Sequence, residues 1–214
     1  MDAAIALGER GRGRTAPNPH VGCIVVKDGE VVGRGWTQPG GRPHAEAVAL
    51  EQAGAALEGA TVYVSLEPCA HKSERGPACA DLLASVRPAR VVIAASDPDL
   101  RTNGAGAARL RAAGIEVETG LARETAEASM AGFFSRVRRG RPFVTLKLAM
   151  SIDGKIALPS GESRWITGED ARSSGPVLGD TLYLHGSTGA ASLRAAVAGD
   201  ARDAVMVLIT SRIP

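Results

Sequence analysis

Short apolar runs alternate with helical patterns through the first half of the chain. Two apolar runs, residues 21–26 and 30–36, flank an Asp-Gly pair, and this arrangement predicts a β-hairpin. The runs at 60–66 and 90–96 are continuously apolar, which is typical of strands in a sheet that helices cover on both faces. The pattern therefore predicts an α/β fold.

Helical spacing of small and apolar residues predicts the elements between these strands. One helix begins after Pro43, and a second begins at Pro77. Further helices are expected over 2–10, in a segment that ends at residue 113, and as one long element over 124–139. A short strand over residues 115–118 completes the alternation of strands and helices.

A Gly-Arg-Pro sequence at 140–142 interrupts the last helical pattern, and we place a domain boundary there. The chain is thereby divided into segments 1–140 and 141–214. The second segment opens with a strand expected over 143–149, has little periodic pattern in its middle, and ends with a strand pattern over 204–210. Its length is short for an independent domain.

The composition limits the classes of protein to which the chain can belong. Aromatic residues make up 3% of the chain and the formal charge is +2, so we expect no stacking platform for single strands and no general nucleic-acid binder. The basic run from Arg136 to Arg141 is interpreted as a solvated helix end. The sequence has no apolar stretch of about 18 residues, so we expect no membrane span. Three cysteines, two of them with metal-like spacing, favour a cytoplasmic location.

Residues with metal-binding chemistry occur together in one stretch. His44 and Glu46 lie at the start of a predicted helix, Cys69 follows a Glu-Pro pair at the end of a strand, and Cys79 begins the next helix. Taken singly, each is more often an ordinary core or surface residue, as we expect of Cys23 in its apolar run. Together they match the H-x-E…P-C-x-x-C pattern of zinc deaminases, except that nine residues separate the two cysteines. We therefore predict that His44, Cys69 and Cys79 bind Zn²⁺.

The surrounding residues suggest how such a centre would work. Three protein ligands leave a fourth position for water, and Glu46, two residues from the histidine, can transfer protons without binding the metal. Asn18 lies between two prolines, so it either reads a substrate through its amide or is a simple turn residue. Arg75, between the cysteines, either binds a phosphate or lies in solvent. The residues alone leave both alternatives open.

Several motifs resemble the bifunctional riboflavin-biosynthesis deaminase/reductase family. They are P-N-P-H-V-G-C at 17–23, H-A-E at 44–46, L-E-P-C-A-H at 66–71, G-P-A-C at 76–79, D-P at 97–98, L-K at 146–147, S-I-D-G-K at 151–155 and G-E-S-R-W-I-T at 161–167. The resemblance implies a cytidine-deaminase-like three-layer α/β/α sandwich with a mixed central sheet over 1–140. It implies an incomplete segment similar to dihydrofolate reductase over 141–214. We expect residues 173–214 to depart from the family pattern.

The resemblance also implies an activity. Members of this family deaminate 2,5-diamino-6-(5-phosphoribosylamino)pyrimidin-4-one to the 5-aminouracil ribotide with Zn²⁺ and then reduce the ribose with NADPH. By residue match, Glu46 is the catalytic residue. The implied substrate contacts are Asn18, His71, Arg75 and Ser163. The implied NADPH contacts are Lys147, Ala149 and Trp165. The expected partner is this small phosphorylated molecule, without nucleic acid or membrane, and a homo-oligomer is compatible with the sequence.

Two alternatives remain at this point. A zinc deaminase of another nucleoside or of a transfer-RNA adenosine would use the same chemistry, although the low aromatic content counts against RNA. A zinc-stabilised scaffold would be no enzyme, but a structural site normally has four protein ligands and needs no Glu46. Turnover of cytidine or RNA would support the first alternative. Lack of any turnover would support the second.

Overall fold

A five-stranded mixed sheet organises the first part of the chain. The computed structural model describes residues 1–71, 73–141, 143 and 159, and the backbone of 181–184 and 205–208. The strands of the sheet are β1 (Gly22–Lys27), β2 (Glu30–Trp36), β3 (Thr61–Leu66), β4 (Arg90–Ala95) and β5 (Glu116–Thr119). Their spatial order is β2-β1-β3-β4-β5, in which β1 pairs antiparallel with β2 and β3, and the pairs β3–β4 and β4–β5 are parallel.

The predicted hairpin between β1 and β2 is confirmed. Asp28 has a φ of 50° and Gly29 a φ of 83°, and a two-residue turn with two positive φ angles matches the right-handed twist of the flanking strands. Aspartate and glycine tolerate this backbone better than other residues do. The turn therefore sets the register in which Lys27 pairs with Glu30.

Helices cover the sheet, and the predicted three-layer α/β/α sandwich with a mixed central sheet is confirmed. They are α1 (Asp2–Gly8), α2 (Ala45–Ala53), α3 (Cys79–Val86), α4 (Ala105–Ala112), α5 (Arg123–Ser129) and α6 (Ala131–Arg139), with 3-10 turns at Glu9–Gly11, Pro39–Gly41 and Gly54–Leu57. Helix α2 packs on β1 and β2, α1 on β1 and β3, and α5 on β4. Strand β4 is buried from Val91 to Ala95, as its continuous apolar run predicts.

The parallel strands β3 and β4 end at the same edge of the sheet. Leu66 pairs with Ala95, so the segments that follow the two strands start side by side. The stretch after β3 carries both cysteines of the predicted zinc site, and the stretch after β4 carries Asp97. This edge is where open α/β sheets place their sites.

The long helix predicted over 124–139 is wrong, because the structure has two helices there. They meet at Met130, whose φ of −99° and ψ of 29° are not helical. The carbonyl of Ser129 contacts side chains from the start of the chain: Arg12 Nη2 lies 3.3 Å from it and His20 Nε2 lies 3.2 Å from it. The break therefore depends on contacts more than 100 residues away in sequence.

Of the segment 141–214, the structure describes two short strands and residues 141, 143 and 159. The strand predicted over 204–210 is confirmed as β7 (Val205–Leu208), and it pairs parallel with β6 (Thr181–Leu184). Strand β6 is not predicted from the sequence, because four residues are too few to show a period. The strand predicted over 143–149 lies outside the described residues.

A polar cluster joins the first helix to α5. The carboxylate of Glu9 forms an ion pair with Arg12 at 2.5 Å and accepts a hydrogen bond from Ser129 Oγ at 2.5 Å, and His20 Nε2 lies 3.8 Å from it. Burial opposes ionisation of Glu9, but the nearby His20 and the hydrogen bonds from Arg12 and Ser129 outweigh it and lower its pKa to about 2. Ionised Glu9 therefore stabilises the folded state.

We expect Glu9→Gln to lower the free energy of unfolding at pH 7 by about 1–2 kcal/mol, after a discount for solvent screening of a side chain that is 35% exposed. The pKa of Glu9 is lower in the folded state than its ordinary value of 4.5. Its contribution is therefore present above about pH 5 and is lost as the pH falls towards 2. Urea unfolding at pH 7 and pH 3 measures this, with exposed Glu30→Gln as the control. An equal loss in both variants would contradict the prediction.

Within the ranges that the structure covers, no helix combines the length and the apolar character needed to cross a membrane.

Candidate metal centre

Three metal-binding side chains converge at the edge of the sheet. His44 Nδ1 lies 3.2 Å from Cys79 Sγ and 3.7 Å from Cys69 Sγ. The three donor atoms all lie within 4.8 Å of one another. The structure thus brings together the residues that the sequence predicts as zinc ligands.

Each of these residues is positioned by the end of a regular element. His44 immediately precedes α2, Cys69 follows β3 after Glu67-Pro68, and Cys79 is the first residue of α3. The backbone N–H of Cys79 donates a hydrogen bond to Cys69 Sγ at 3.3 Å. Unpaired N–H groups at a helix start favour negative charge, so α3 stabilises a thiolate here.

The electrostatics of the two thiols are coupled. The pKa of Cys69 is lowered to about 4, first by the neighbouring Cys79 thiol and also because His44 and the backbone N–H of Cys79 lie close. The pKa of Cys79 is raised by the same interaction with Cys69 and by burial. The pair therefore favours one thiolate, and a bound metal would displace the remaining proton.

The donor set fits zinc. One imidazole nitrogen and two thiolates are among the ligands that Zn²⁺ prefers, and three protein ligands leave one position open, as in catalytic sites. Within the described residues, His44, Cys69 and Cys79 are the group whose donor atoms lie close enough to hold an ion.

Glu46 lies beside this cluster, on the first turn of α2. Its side chain is 3% exposed, and burial raises the pKa of its carboxyl above the ordinary value of 4.5. Glu46 also borders a cavity of about 280 Å³ that His44 and Cys69 line. A buried carboxyl beside a metal site is the type of group that takes up and releases protons in a reaction.

The cavity combines acidic and basic residues. Its acidic lining residues are Glu46, Glu67, Asp97 and Asp99. Its basic lining residues are Arg42, Arg75, Arg101 and Arg136, with His44 and His71. The cavity can therefore hold a molecule with both hydrogen-bond donors and a negative charge.

Asn18 lines the cavity and contacts the histidine of the cluster. Asn18 Nδ2 donates to the carbonyl of Gly41 at 2.7 Å and lies 3.1 Å from His44 Nε2. Because the other ring nitrogen faces the cysteines, this contact orients the imidazole. No hydrogen bond of the described residues uses Asn18 Oδ1.

His71 and Arg75 lie in the loop between the cysteines, and both line the cavity. His71 Nδ1 is buried and lacks a hydrogen-bond partner within the described part of the chain. Arg75 donates to the carbonyl of Gly40 at 2.7 Å, and Arg42 of that neighbouring loop donates in return to Ser73 Oγ at 3.2 Å. These two hydrogen bonds connect the two loops that flank the metal cluster.

Glu67 is a site residue that the sequence analysis treated only as part of a strand break. Its side chain is 4% exposed. Its carboxylate accepts hydrogen bonds from the backbone N–H groups of Asp97 at 3.2 Å, Gly104 at 3.0 Å and Ala107 at 3.1 Å. It therefore caps α4 and holds the segment after β4 against the segment that carries Cys69. A Cβ at Gly106 would overlap the Pro68 carbonyl, so this close approach requires glycine.

We expect Glu67→Gln to lower the free energy of unfolding by about 2–3 kcal/mol, because the amide places an N–H against backbone donors and removes the charge from the start of α4. Differential scanning calorimetry of the zinc-loaded chain measures this loss. Exposed Glu74→Gln, in the loop between the cysteines, is the control. A Glu67→Gln protein as stable as the control would show that the three hydrogen bonds contribute little.

Asp97 is a second acidic group that lines the cavity. Its side chain is 7% exposed, and its Oδ1 accepts a hydrogen bond from the backbone N–H of Asp99 at 2.9 Å. Burial is the main reason that its pKa rises to about 7, and the negative charges of Asp99, Glu67 and Cys69 add to the rise. Near neutral pH this carboxyl can either donate or accept a hydrogen bond.

The predicted residues of the second segment lie outside the described residues. They are Lys147, Ala149, Ser163 and Trp165. Cys23, in contrast, lies fully buried in the main core, as its apolar run predicts.

Comparisons with known proteins match both segments. The cytidine and deoxycytidylate deaminase zinc-binding region matches residues 1–95, and the RibD C-terminal domain matches residues 142–212. The second match extends beyond residue 173, where we expected the family pattern to end. The riboflavin biosynthesis protein RibD of Escherichia coli K12 is 50% identical over 172 residues, which cover 80% of this chain and 47% of that protein.

Solved structures agree with these matches. Acinetobacter baumannii RibD superposes with a TM-score of 0.77 at 38% identity, over 100% of this chain and 64% of that one. The diaminohydroxyphosphoribosylaminopyrimidine deaminase/5-amino-6-(5-phosphoribosylamino)uracil reductase of Thermotoga maritima superposes with a TM-score of 0.79 at 34% identity, over 97% of this chain and 61% of that one. The chain spans about half the length of the curated relatives that it matches.

Proposed function

This chain belongs to the RibD family of riboflavin-biosynthesis proteins, and we propose that its segment 1–140 hydrolyses the 2-amino group of 2,5-diamino-6-(5-phosphoribosylamino)pyrimidin-4-one. The observation that carries the proposal is the cluster of His44, Cys69 and Cys79 with buried Glu46 at one cavity. A structural zinc site would not need a buried acid beside an open position.

The reaction forms a C–O bond at the ring carbon, breaks the C–N bond to the 2-amino group and releases ammonia. A zinc ion held by His44, Cys69 and Cys79 would lower the pKa of water, so that hydroxide is available near neutral pH. Glu46 would accept one proton from the attacking water and deliver it to the ring nitrogen, and would then transfer the second proton, from the new hydroxyl group, to the departing amine. Because Glu46 is almost fully buried, its charge interacts with the reacting atoms without much screening by water.

The cavity offers groups for the rest of the substrate. Asn18 Oδ1 would accept a hydrogen bond from the pyrimidine, and His71 Nδ1 would gain the partner that it lacks among the described residues. Arg75 would contribute charge near the phosphate. These roles agree with the family resemblance and with the position of all three residues at the cavity.

The proposal extends to the segment 141–214 through its match to the RibD C-terminal domain. If this segment is active, NADPH would reduce the ribose of the product, with Ser163 at the substrate and Lys147, Ala149 and Trp165 at the cofactor. The three cysteines are free thiols, which suits a cytoplasmic location.

Mass spectrometry of the product tests the proposal. The zinc-loaded full chain is incubated with the diaminopyrimidine ribotide and NADPH, and with cytidine in a parallel reaction. Replacement of an amino group by oxygen in the ribotide supports the deaminase, and a further gain of two hydrogens supports the reductase. Turnover of cytidine without turnover of the ribotide would contradict the proposed substrate.

A further inference from the structure

The arginines around the cavity differ in their partners. Within the described residues, most arginines in close ion pairs lie elsewhere; these are Arg12, Arg90, Arg109, Arg123 and Arg138. Of the four that line the cavity, Arg101 is the one with a carboxylate partner among the described residues, Asp99. Arg42, Arg75 and Arg136 contact only neutral groups within the same part of the chain. Among the described residues, these three therefore bring positive charge to the cavity without a close ion-pair partner.

Arg136 is the one that comes from a regular helix. It lies on α6, it is half-buried, and its Nη2 donates to the carbonyl of Pro17 at 3.0 Å. The guanidinium carbon lies 5.6 Å from the centre of the Phe133 ring, and Phe133 also lines the cavity. Its Nε is buried and has no partner in the described part of the chain. A carbonyl and an aromatic ring thus hold this side chain at the cavity wall.

The other arginines of this helix are placed differently. Arg138 is exposed, pairs with Glu127 at 2.8 Å and lies 4.4 Å from the Phe134 ring. Arg139 is exposed to solvent. The basic run was interpreted as a solvated helix end, and this interpretation is wrong for Arg136. Its charge faces the cavity because the helix presents residue 136 on the same side as Phe133, one turn earlier.

We propose that Arg136 is a specificity-determining residue that binds the phosphate of the substrate and so selects a ribotide over its riboside. The inference rests on the proposed function for the substrate. A guanidinium is always charged and presents a planar set of donors that match two phosphate oxygens at once. Within the described residues, the hydrogen bond to Pro17 uses only Nη2 of Arg136, and no carboxylate pairs with the guanidinium, so a phosphate group would supply its counter-charge.

The test compares the ribotide with the riboside made from it by phosphatase, on zinc-loaded full chain. For Arg136→Gln we expect the KM for the ribotide to rise about 10- to 100-fold, which is the value of a charge-assisted hydrogen bond. The KM for the riboside and the kcat for both substrates should change little. Arg139→Gln, on the same helix, is the control and should match the unsubstituted chain. Arg136→Lys keeps the charge and should recover part of the selectivity.

A KM that rises equally for both substrates, or that does not rise at all, would overturn the role of Arg136. Isothermal titration with inorganic phosphate separates this inference from the proposed function. If the unsubstituted chain deaminates neither substrate, the proposed function fails. Phosphate binding that is weaker in Arg136→Gln than in Arg139→Gln would then still support an anion site, and equal binding would overturn it. Unchanged zinc content in each variant shows that the metal centre is intact.

Discussion

Glu46→Gln is expected to lower the rate of deamination by about 10²–10⁴-fold while zinc stays bound. Glutamine has nearly the same shape as glutamate, but it cannot take a proton from water or return one to the leaving amine. Glu46 is not one of the three clustered donors, so its replacement should leave the zinc content unchanged. Product formation and zinc analysis on the same preparation measure both quantities.

Glu51→Gln is the matched control, because Glu51 is exposed on the same helix α2. It should retain full activity. A Glu46→Gln protein that keeps most of its turnover would refute the proton-transfer role, and one that has lost zinc would show that Glu46 supports the metal instead. Equal unfolding temperatures of the two variants would exclude a general loss of structure.

Cys79→Ser is expected to weaken zinc binding by more than about 100-fold and to abolish deamination with it. Loss of a residue that only supports a ligand costs about 10–100-fold in metal affinity, and loss of a ligand itself should cost more. A serine hydroxyl stays protonated near neutral pH, whereas a metal ligand must give up its proton.

Competition with a colorimetric zinc chelator measures the affinity of this variant. Cys23→Ala is the control, since Cys23 is equally buried but lies in the main core. That variant should keep one zinc ion per chain even if its stability falls. Full zinc occupancy of Cys79→Ser under chelator would show that the ligand set is wrong.

The residues that the structure gathers at the cluster could be predicted from the sequence. Histidine and cysteine are rare in this chain. One histidine follows a proline and one cysteine follows a Glu-Pro pair, and few sites other than the zinc centre of a deaminase show this pattern. The strands were also predictable, because continuous apolar runs in β3 and β4 mark a sheet covered on both faces. In both cases the information lies within a short stretch of sequence.

The features that were missed depend on contacts between distant parts of the chain. The break at Met130 follows from side chains near the start of the chain that reach the Ser129 carbonyl. Arg136 looks like any basic helix end until Pro17 and the cavity are placed beside it. Glu67 has three partners that lie 30 to 40 residues later. Contacts between residues so far apart in sequence leave no periodic pattern from which they could be predicted.

The bonds of Glu67 have a consequence for the order of events during synthesis. Its last backbone partner, Ala107, is added 40 residues after it, which takes about 2–8 s at about 5–20 residues per second. The third zinc ligand, Cys79, is added well before Ala107. From the addition of Cys79 to that of Ala107, 28 residues later, a nascent chain therefore carries all its thiols for about 1–6 s without the helix that will hold them in place. We expect metal to exchange freely in this interval and to become fixed only when α4 docks.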